Sequence, residues 1–482
     1  MTLWTNDLLH QALKEILVEP SKPNKNKNLN SQTSFDAIFI DTRKPTPNSI
    51  FVAIKGENTD GHNYLKQAVE AGAKVAIVNN IPLNSEDLDL IFIVVKDTVQ
   101  ALHKIAEFAR LRSKAKIFAV TGSVGKTGTK EMLKTAFASQ GKTYANVGNL
   151  NNHIGLPLSL CNLPIDCEYA IFEMGMNHLG EIEPLSKLAK PHLAVITNVG
   201  PVHIEFFKDE QEIALAKSEI FTGLMVGGFA LINRDNPHFE FLLNRARTNK
   251  INEENIINFG TNHRANYQIT HTEIKNSSLT SVSLRLKNGK NISYDVSCTN
   301  QAVIFNSAIT VVACDLFGRN LQSALDAIKN YSSGAGRGKV TEITHNNKHL
   351  TVIDDTYNAS LLSMKAGIEH ASNLKKILQK KRVICALGDM LELGDKSTEL
   401  HFKVVNYVKE YSIDYAILVG PKMKEASANL DAKTFSTFDN SILASENFDD
   451  LLQDGDVLYL KGSRGTKMEK ILEKLTNKSS DH

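Results

Sequence analysis

Short apolar runs alternate with stretches of helical periodicity along most of the chain, which predicts strands and helices in succession. In the first hundred residues an opening amphipathic helix is followed by runs at 37–40 and 50–54, both read as strands, and by a helix over 98–111. The alternation resumes with Ile117-Phe118-Ala119-Val120 as a buried strand, helical spacing over 131–137, strands at 169–172 and 193–197, and a helix over 180–188. Strand and helix in turn imply a parallel sheet with helices on its faces. The texture then changes. Residues 281–286 and 292–296 flank an Asn288-Gly289 turn and predict a hairpin, read as a β insertion ahead of a helix over 305–317. Further strands are predicted at 350–353, 382–387, 415–419 and 457–460.

This pattern places the chain in the α/β class. At 482 residues it exceeds what one core organises, and ordinary domain sizes predict roughly three or four units. Boundaries are expected near residue 114, where a helix leads into a glycine loop, and at Ser332-Ser333-Gly334-Ala335-Gly336-Arg337-Gly338, a glycine-rich stretch that reads as a hinge. The expected units are therefore 1–113, 114–332 and 333–482. The Asn/Lys tract over 21–31 lacks apolar residues able to bury a core and reads as a mobile loop. No internal repeat is visible.

Composition narrows the partners. The 55 basic and 53 acidic residues nearly cancel, so nucleic acid is not an expected partner. The N-terminus lacks the basic and apolar regions of a signal peptide, and no apolar run approaches the ~20 residues of a membrane span. Five scattered cysteines without C-x-x-C spacing fit a reducing cytoplasm, with inert thiols and no structural zinc.

Chemistry is concentrated at predicted strand ends. Thr121-Gly122-Ser123-Val124-Gly125-Lys126-Thr127 stands between a strand and a helix, the layout of a phosphate site: backbone N–H groups close round an oxyanion, Lys126 reaches outer phosphates and the Thr127 hydroxyl ligates Mg²⁺. The full G-x-x-x-x-G-K-[ST] pattern requires glycine at 120, where this chain has Val120; the alternative is an ordinary strand-to-helix turn. Glu173 and His203 follow other strand ends, where they would complete a Mg²⁺ or Mn²⁺ shell begun by Thr127. Lys217 shares a helix face with Ile213 and Ile220. It either snorkels or is buried with a lowered pKa, and a buried neutral amine can react with CO₂ to give a carbamate, an anionic metal ligand. Asp41-Thr42-Arg43 and Asp60-Gly61-His62 read equally as ligand contacts or as turn chemistry. Asp354-Asp355-Thr356-Tyr357-Asn358-Ala359, Gly388-Asp389-Met390-Leu391-Glu392-Leu393-Gly394 and Lys461-Gly462-Ser463-Arg464-Gly465 are each explicable as capped turns; together on one sheet edge they suggest a second binding surface.

With Gly148-Asn149-Leu150-Asn151-Asn152, these segments resemble the Mur ligase family over nearly the whole chain, and within it the ligases that act on D-alanyl-D-alanine. The resemblance implies a UDP-binding N-terminal domain, a central ATPase domain and a Rossmann-like C-terminal domain. It also implies the reaction: ATP phosphorylates the terminal carboxylate of UDP-MurNAc-tripeptide, and the amine of D-Ala-D-Ala attacks the acyl phosphate. By the same resemblance Gly122, Ser123, Val124, Gly125, Lys126 and Thr127 hold the nucleotide, with Asn306 at the adenine and Arg337 and Asp354 or Asp355 as C-terminal contacts. Thr127, Glu173, His203 and a carbamylated Lys217 hold metal, and Lys126, His203 and Lys217 serve catalysis. Thr42, Arg43, Asn151, Asn152, Tyr357 and Asn358 contact substrate, and the enzyme works as a monomer. The chain departs from the family pattern at Thr42, usually serine, at Ala302-Val303, usually His-Asn, and at Ser360-Leu361, usually Asn-Pro. Rival readings are a Mur ligase adding one amino acid, a folylpolyglutamate synthase, or a nucleotide-binding protein without catalysis.

Overall fold

The computed structural model describes residues 2–18, 30–83, 85, 88–431 and 433–476. The polar tract predicted as a loop lies outside them up to residue 29. Three main sheets organise the rest.

The first is an all-parallel sheet in the order Ala37–Phe39, Ser49–Val52, Ala73–Val78, Ile91–Val94. The opening helix, Asn6–Leu13, begins at Thr5, whose hydroxyl accepts the Leu8 N–H at 3.3 Å. Trp4, just before it, is completely buried. Its indole N–H donates to the Cys161 carbonyl at 2.8 Å, and the Arg112 guanidinium lies 4.0 Å from the ring centroid. The chain's first turn is thus fastened to the central sheet's helices.

The central sheet has nine strands among the described residues, in the order Asn291–Val296, Leu279–Arg285, Tyr267–Asn276, Ile256–Gly260, Phe229–Asn233, Leu193–Ile196, Lys116–Thr121, Tyr169–Glu173, Thr143–Ala145. The first two pairings in this order are antiparallel and the other six are parallel. The predicted hairpin therefore exists, but it is no separate insertion: Tyr267–Asn276 pairs with Ile256–Gly260, so the hairpin prolongs the same sheet. The helix predicted from residue 180 starts later, at Ile182–Ala189. The buried Glu219 carboxylate accepts the N–H groups of Gly180, Ile182 and Glu183, which leaves Gly180 in a left-handed turn outside the helix.

The third sheet runs Lys339–His345, Lys348–Asp355, Val457–Lys461, Val383–Gly388, Tyr415–Val419, Phe435–Phe438. Only the first pair is antiparallel, closed by Asn346 and Asn347, both at positive φ as a tight hairpin turn requires. Helix Leu361–Ile377 follows, capped reciprocally by Ser360 and Ser363. All five cysteines are buried and unpaired. No helix among the described residues is long and apolar enough to cross a membrane.

Candidate active site

Parallel strands deliver their C-terminal ends to one edge, and the strand ending at Thr121 lies between those ending at Glu173 and Ile196. Val120 stands inside that strand, opposite Glu173 and Val195, and its carbonyl accepts the Met174 N–H at 2.9 Å. The missing glycine is thus explained: the chain does not turn at residue 120 but at Gly122, whose φ of 152° is accessible only without a side chain. A neighbouring loop braces the turn. Ser123 N–H donates to Asn198 O at 2.8 Å, the Ser123 hydroxyl donates to Gly200 O at 2.9 Å, and the Thr197 hydroxyl donates to Val124 O at 2.5 Å. Helix Lys126–Ala138 starts at Gly125, so its free N–H groups face the loop's mouth.

Around that mouth the side chains converge on a cavity of about 810 Å³. Lys126 Nζ donates to Gly122 O at 2.7 Å, and burial lowers its pKa against the opposing effect of Glu173. Thr127 Oγ1 donates to one Glu173 oxygen at 2.7 Å, and Asn151 Nδ2 donates to the other at 2.8 Å. Glu173 is further fixed through its backbone, which exchanges hydrogen bonds with the Asn146 side chain. Asn146 is held in turn by Lys130, a fully buried lysine whose Nζ donates to Asn146 O at 2.7 Å. Lys130 shares a helix face with Leu133 and Phe137, so the periodicity that singled out Lys217 applies to it as well.

Lys217 lies in the last turn of helix Glu210–Ser218, 2 % exposed, and it lines the cavity. Its amine has no hydrogen-bond or ion-pair partner among the described residues, and burial, reinforced by the charge of Lys126, puts its pKa well below the ordinary value. His203 also lines the cavity, at the unusual φ of 57°. Burial lowers its pKa, while the adjacent Glu392 carboxylate opposes the shift.

The facing wall comes from the third sheet. The Arg337 guanidinium lies 4.1 Å from the Tyr357 ring centroid, with Arg464 at 5.9 Å. Lys461 Nζ donates to Asp355 Oδ2 at 2.6 Å and to Asn358 O at 2.9 Å, and the Tyr459 hydroxyl donates to the same Asp355 oxygen at 3.0 Å. Burial raises the Asp355 pKa and Lys461 opposes it. Asn306 reaches the cavity from helix Gln301–Leu316, where its Oδ1 accepts the Thr129 hydroxyl at 2.9 Å and its amide packs against Gly125 and Gly128.

Some residues expected at the site lie elsewhere. Asp354 does not line the cavity: it points to the opposite face of its strand and accepts from Gly336 N–H and from Thr356. Asn152 instead caps the following turn, accepting the N–H groups of Ile154 and Gly155. Thr42 and Arg43 belong to the first sheet's edge and are absent from the cavity wall. Arg43 is largely exposed and pairs with Asp41, whose pKa this hydrogen bond lowers to about 2. Residues that sequence reasoning passed over are Thr197, Asn198, Lys130 and Asn146, which hold the loop and Glu173 in place.

Three family models match in register with these sheets: "Mur ligase family, catalytic domain" over 34–110, "Mur ligase middle domain" over 120–314 and "Mur ligase, glutamate ligase domain" over 341–464. A protein of Rickettsia prowazekii named UDP-N-acetylmuramoyl-tripeptide--D-alanyl-D-alanine ligase is 33% identical over 92% of this chain and 96% of its own length. The chain belongs to the Mur ligase family. Similarly named relatives of this Mur ligase from Bacillus subtilis and Escherichia coli are 33% and 32% identical, each with 94% of its own length covered. MurF of Acinetobacter baumannii superimposes with a TM-score of 0.84 at 29% identity, covering 98% of this Mur ligase and 99% of that chain.

Proposed function

We propose that this Mur ligase joins D-alanyl-D-alanine to UDP-MurNAc-tripeptide in an ATP-dependent reaction that passes through an acyl phosphate and gives the pentapeptide, ADP and phosphate. The observation that carries the reading is the meeting, in one cavity, of the phosphate loop with Glu173, His203 and Lys217 on one side and Asp355, Tyr357 and Asn358 on the other. The reading further divides the chain into a UDP-sugar domain (1–113), an ATP domain (114–332) and an amine-substrate domain (333–482), acting as a cytoplasmic monomer.

The donor set fits a hard divalent cation, Mg²⁺ or Mn²⁺. The Thr127 hydroxyl and a Glu173 carboxylate oxygen are 2.7 Å apart, and an imidazole and an unpartnered buried amine face the same space. When bound, the cation neutralises charge as one anion attacks another. Lys126 draws the outer phosphates toward the helix N-terminus and stabilises charge developing on them. The acceptor carboxylate oxygen then bonds to the γ-phosphorus and ADP leaves. Lys217, held neutral, attacks CO₂ at carbon and loses a proton, so an amine becomes a carbamate able to join Thr127, Glu173 and His203 at the metal. Tyr357 and Asn358 orient the incoming amine, whose nitrogen bonds to the acyl carbon while phosphate departs and a proton is released. Arg337, Asp355 and Asn306 contact the nucleotide; Thr42, Arg43, Asn151 and Asn152 contact the UDP-sugar peptide.

The test is phosphate release by the purified enzyme with ATP, Mg²⁺ and UDP-MurNAc-tripeptide, carrying lysine or diaminopimelate at its third position. Turnover is expected with D-Ala-D-Ala and not with single amino acids. Turnover with one amino acid alone, or ATP binding without substrate-dependent turnover, overturns the proposal.

A further inference from the structure

Glu392 belongs to the 388–394 segment and lies outside the cavity wall, so the reaction described above leaves it without a task. The loop that carries it is firmly built. Asp389 N–H donates to Val419 O at 3.0 Å, Met390 N–H to His401 Nε2 at 2.9 Å and Leu391 N–H to the Ser463 hydroxyl at 2.9 Å. The Asp389 carboxylate accepts the N–H groups of Lys422 and Met423 at the start of helix Pro421–Ala426. From this base the chain leaves the third sheet and reaches the central one. At Gly394, φ is 52° and an added Cβ would come within 2.9 Å of the Glu205 Cβ.

At the tip, the Glu392 carboxylate meets Nδ1 of His203. Both residues adopt the left-handed backbone, at φ 60° and 57°. The left-handed backbone is uncommon for residues that carry a side chain; elsewhere in this chain it also occurs at a hairpin turn and at a helix end, so here it marks only how the two loops turn. Two separate loops meet where one carboxylate faces one imidazole. The carboxylate lies against the Nδ1 side of the ring as an ion-pair contact, which leaves Nε2 as the ring nitrogen to ligate, and His203 lines the cavity. A carboxylate on the far nitrogen of a ligating histidine fixes its tautomer and orientation and raises its basicity.

We infer that Glu392 is a positioning residue that, from the third domain, orients His203 of the second, so that the metal site is complete only while the two domains are docked. This rests on the reading of His203 as a metal ligand. It makes metal binding and domain docking linked equilibria, each favouring the other. The nucleotide half of the site is then fully assembled only when the domain that brings the amine is in place, which limits ATP consumption in its absence.

The experiment titrates Mn²⁺ into the full-length enzyme with a non-hydrolysable ATP analogue and reads free Mn²⁺ by electron paramagnetic resonance. Glu392→Ala is expected to weaken Mn²⁺ binding about tenfold or more. Glu392→Gln, which keeps an acceptor oxygen, is expected to weaken it less, and His203→Ala at least as much as Glu392→Ala. Adding Glu392→Ala to His203→Ala is expected to cost nothing further. Because the Glu392 side chain is half exposed, its replacements leave folding intact, which circular dichroism verifies. Wild-type affinity in Glu392→Ala with weakened binding in His203→Ala overturns the positioning role alone. Wild-type affinity in both variants overturns the metal role of His203, and the inference with it.

Discussion

Replacing Gly122 by alanine puts a side chain where the phosphate loop has no room for one. Its φ of 152° lies in territory that only glycine populates readily, and holding alanine there costs about 1–3 kcal/mol. The new Cβ would also overlap the Thr197 hydroxyl, with Asn198 N and O each 3.1 Å away. Moving that hydroxyl breaks its bond to Val124 O, worth about 1 kcal/mol. Together these amount to about 2–4 kcal/mol against the loop conformation that faces the nucleotide. If the free enzyme keeps this conformation, the cost appears as lost stability; if its loop relaxes, the cost appears at binding, where 2–4 kcal/mol corresponds to about 30-fold to several hundredfold in affinity. Calorimetric titration with an ATP analogue, paired with urea unfolding of the unliganded protein, captures both shares. Gly122→Ala/Thr197→Ala should recover the steric part and leave the backbone part. If Gly122→Ala leaves both affinity and stability within about 0.5 kcal/mol of the parent, the reasoning is wrong.

Lys217→Ala is expected to lose most of its activity and to recover part of it with added short carboxylic acids; full activity in the unsupplemented variant would refute the carbamate role. His370, which meets the Thr299 hydroxyl at 2.6 Å, has its pKa pushed down to about 4 by burial. Its folded pKa lies below the unfolded value of about 6.5, so the unfolded chain binds the extra proton between those limits, and acidification across them removes up to about 3 kcal/mol of stability. His370→Gln should flatten that dependence in urea melts at pH 7 and 4.5; an unchanged slope would exclude His370 as its source. Trp4→Ala is expected to destabilise by about 3–5 kcal/mol, given complete burial, the bond to Cys161 O and the stacked Arg112. A loss under about 1 kcal/mol would mean that the first turn is not anchored as described.

What sequence could reveal was set by the range of the interactions. The strand, glycine loop and helix are local, and residue spacing places the strand to within a residue, whereas helical spacing over 131–137 misses the first five residues of Lys126–Ala138, where Gly128 and the threonines of the loop mask the period. Lys217 was legible because helical period alone puts it among Ile213 and Ile220. The Asp354-Asp355 pair shows where this stops. Alternation on a strand says that the two point to opposite faces, but which one meets the cavity depends on pairing with Val457–Lys461, more than a hundred residues away. The hairpin reads as an insertion for the same reason, since its attachment runs through Tyr267–Asn276 to Ile256–Gly260. The Thr197–Asn198 brace and the meeting of Glu392 with His203 depend on how loops from different elements pack, which no spacing along the chain encodes.

The buried cysteines make the protein convenient to probe. Burial raises the pKa of Cys167 to about 11 and of Cys314 to about 12, and shifts Cys161, Cys298 and Cys385 upward too. The reactive species is the thiolate, so at neutral pH the native fold offers almost nothing to a maleimide. Engineered cysteines at exposed Val226 and Ile442, one on each of the two larger sheets' bodies, would therefore take dyes in an otherwise unmodified background and report domain movement by energy transfer. In the parent chain, the rate at which thiols become alkylatable measures how often the cores themselves open.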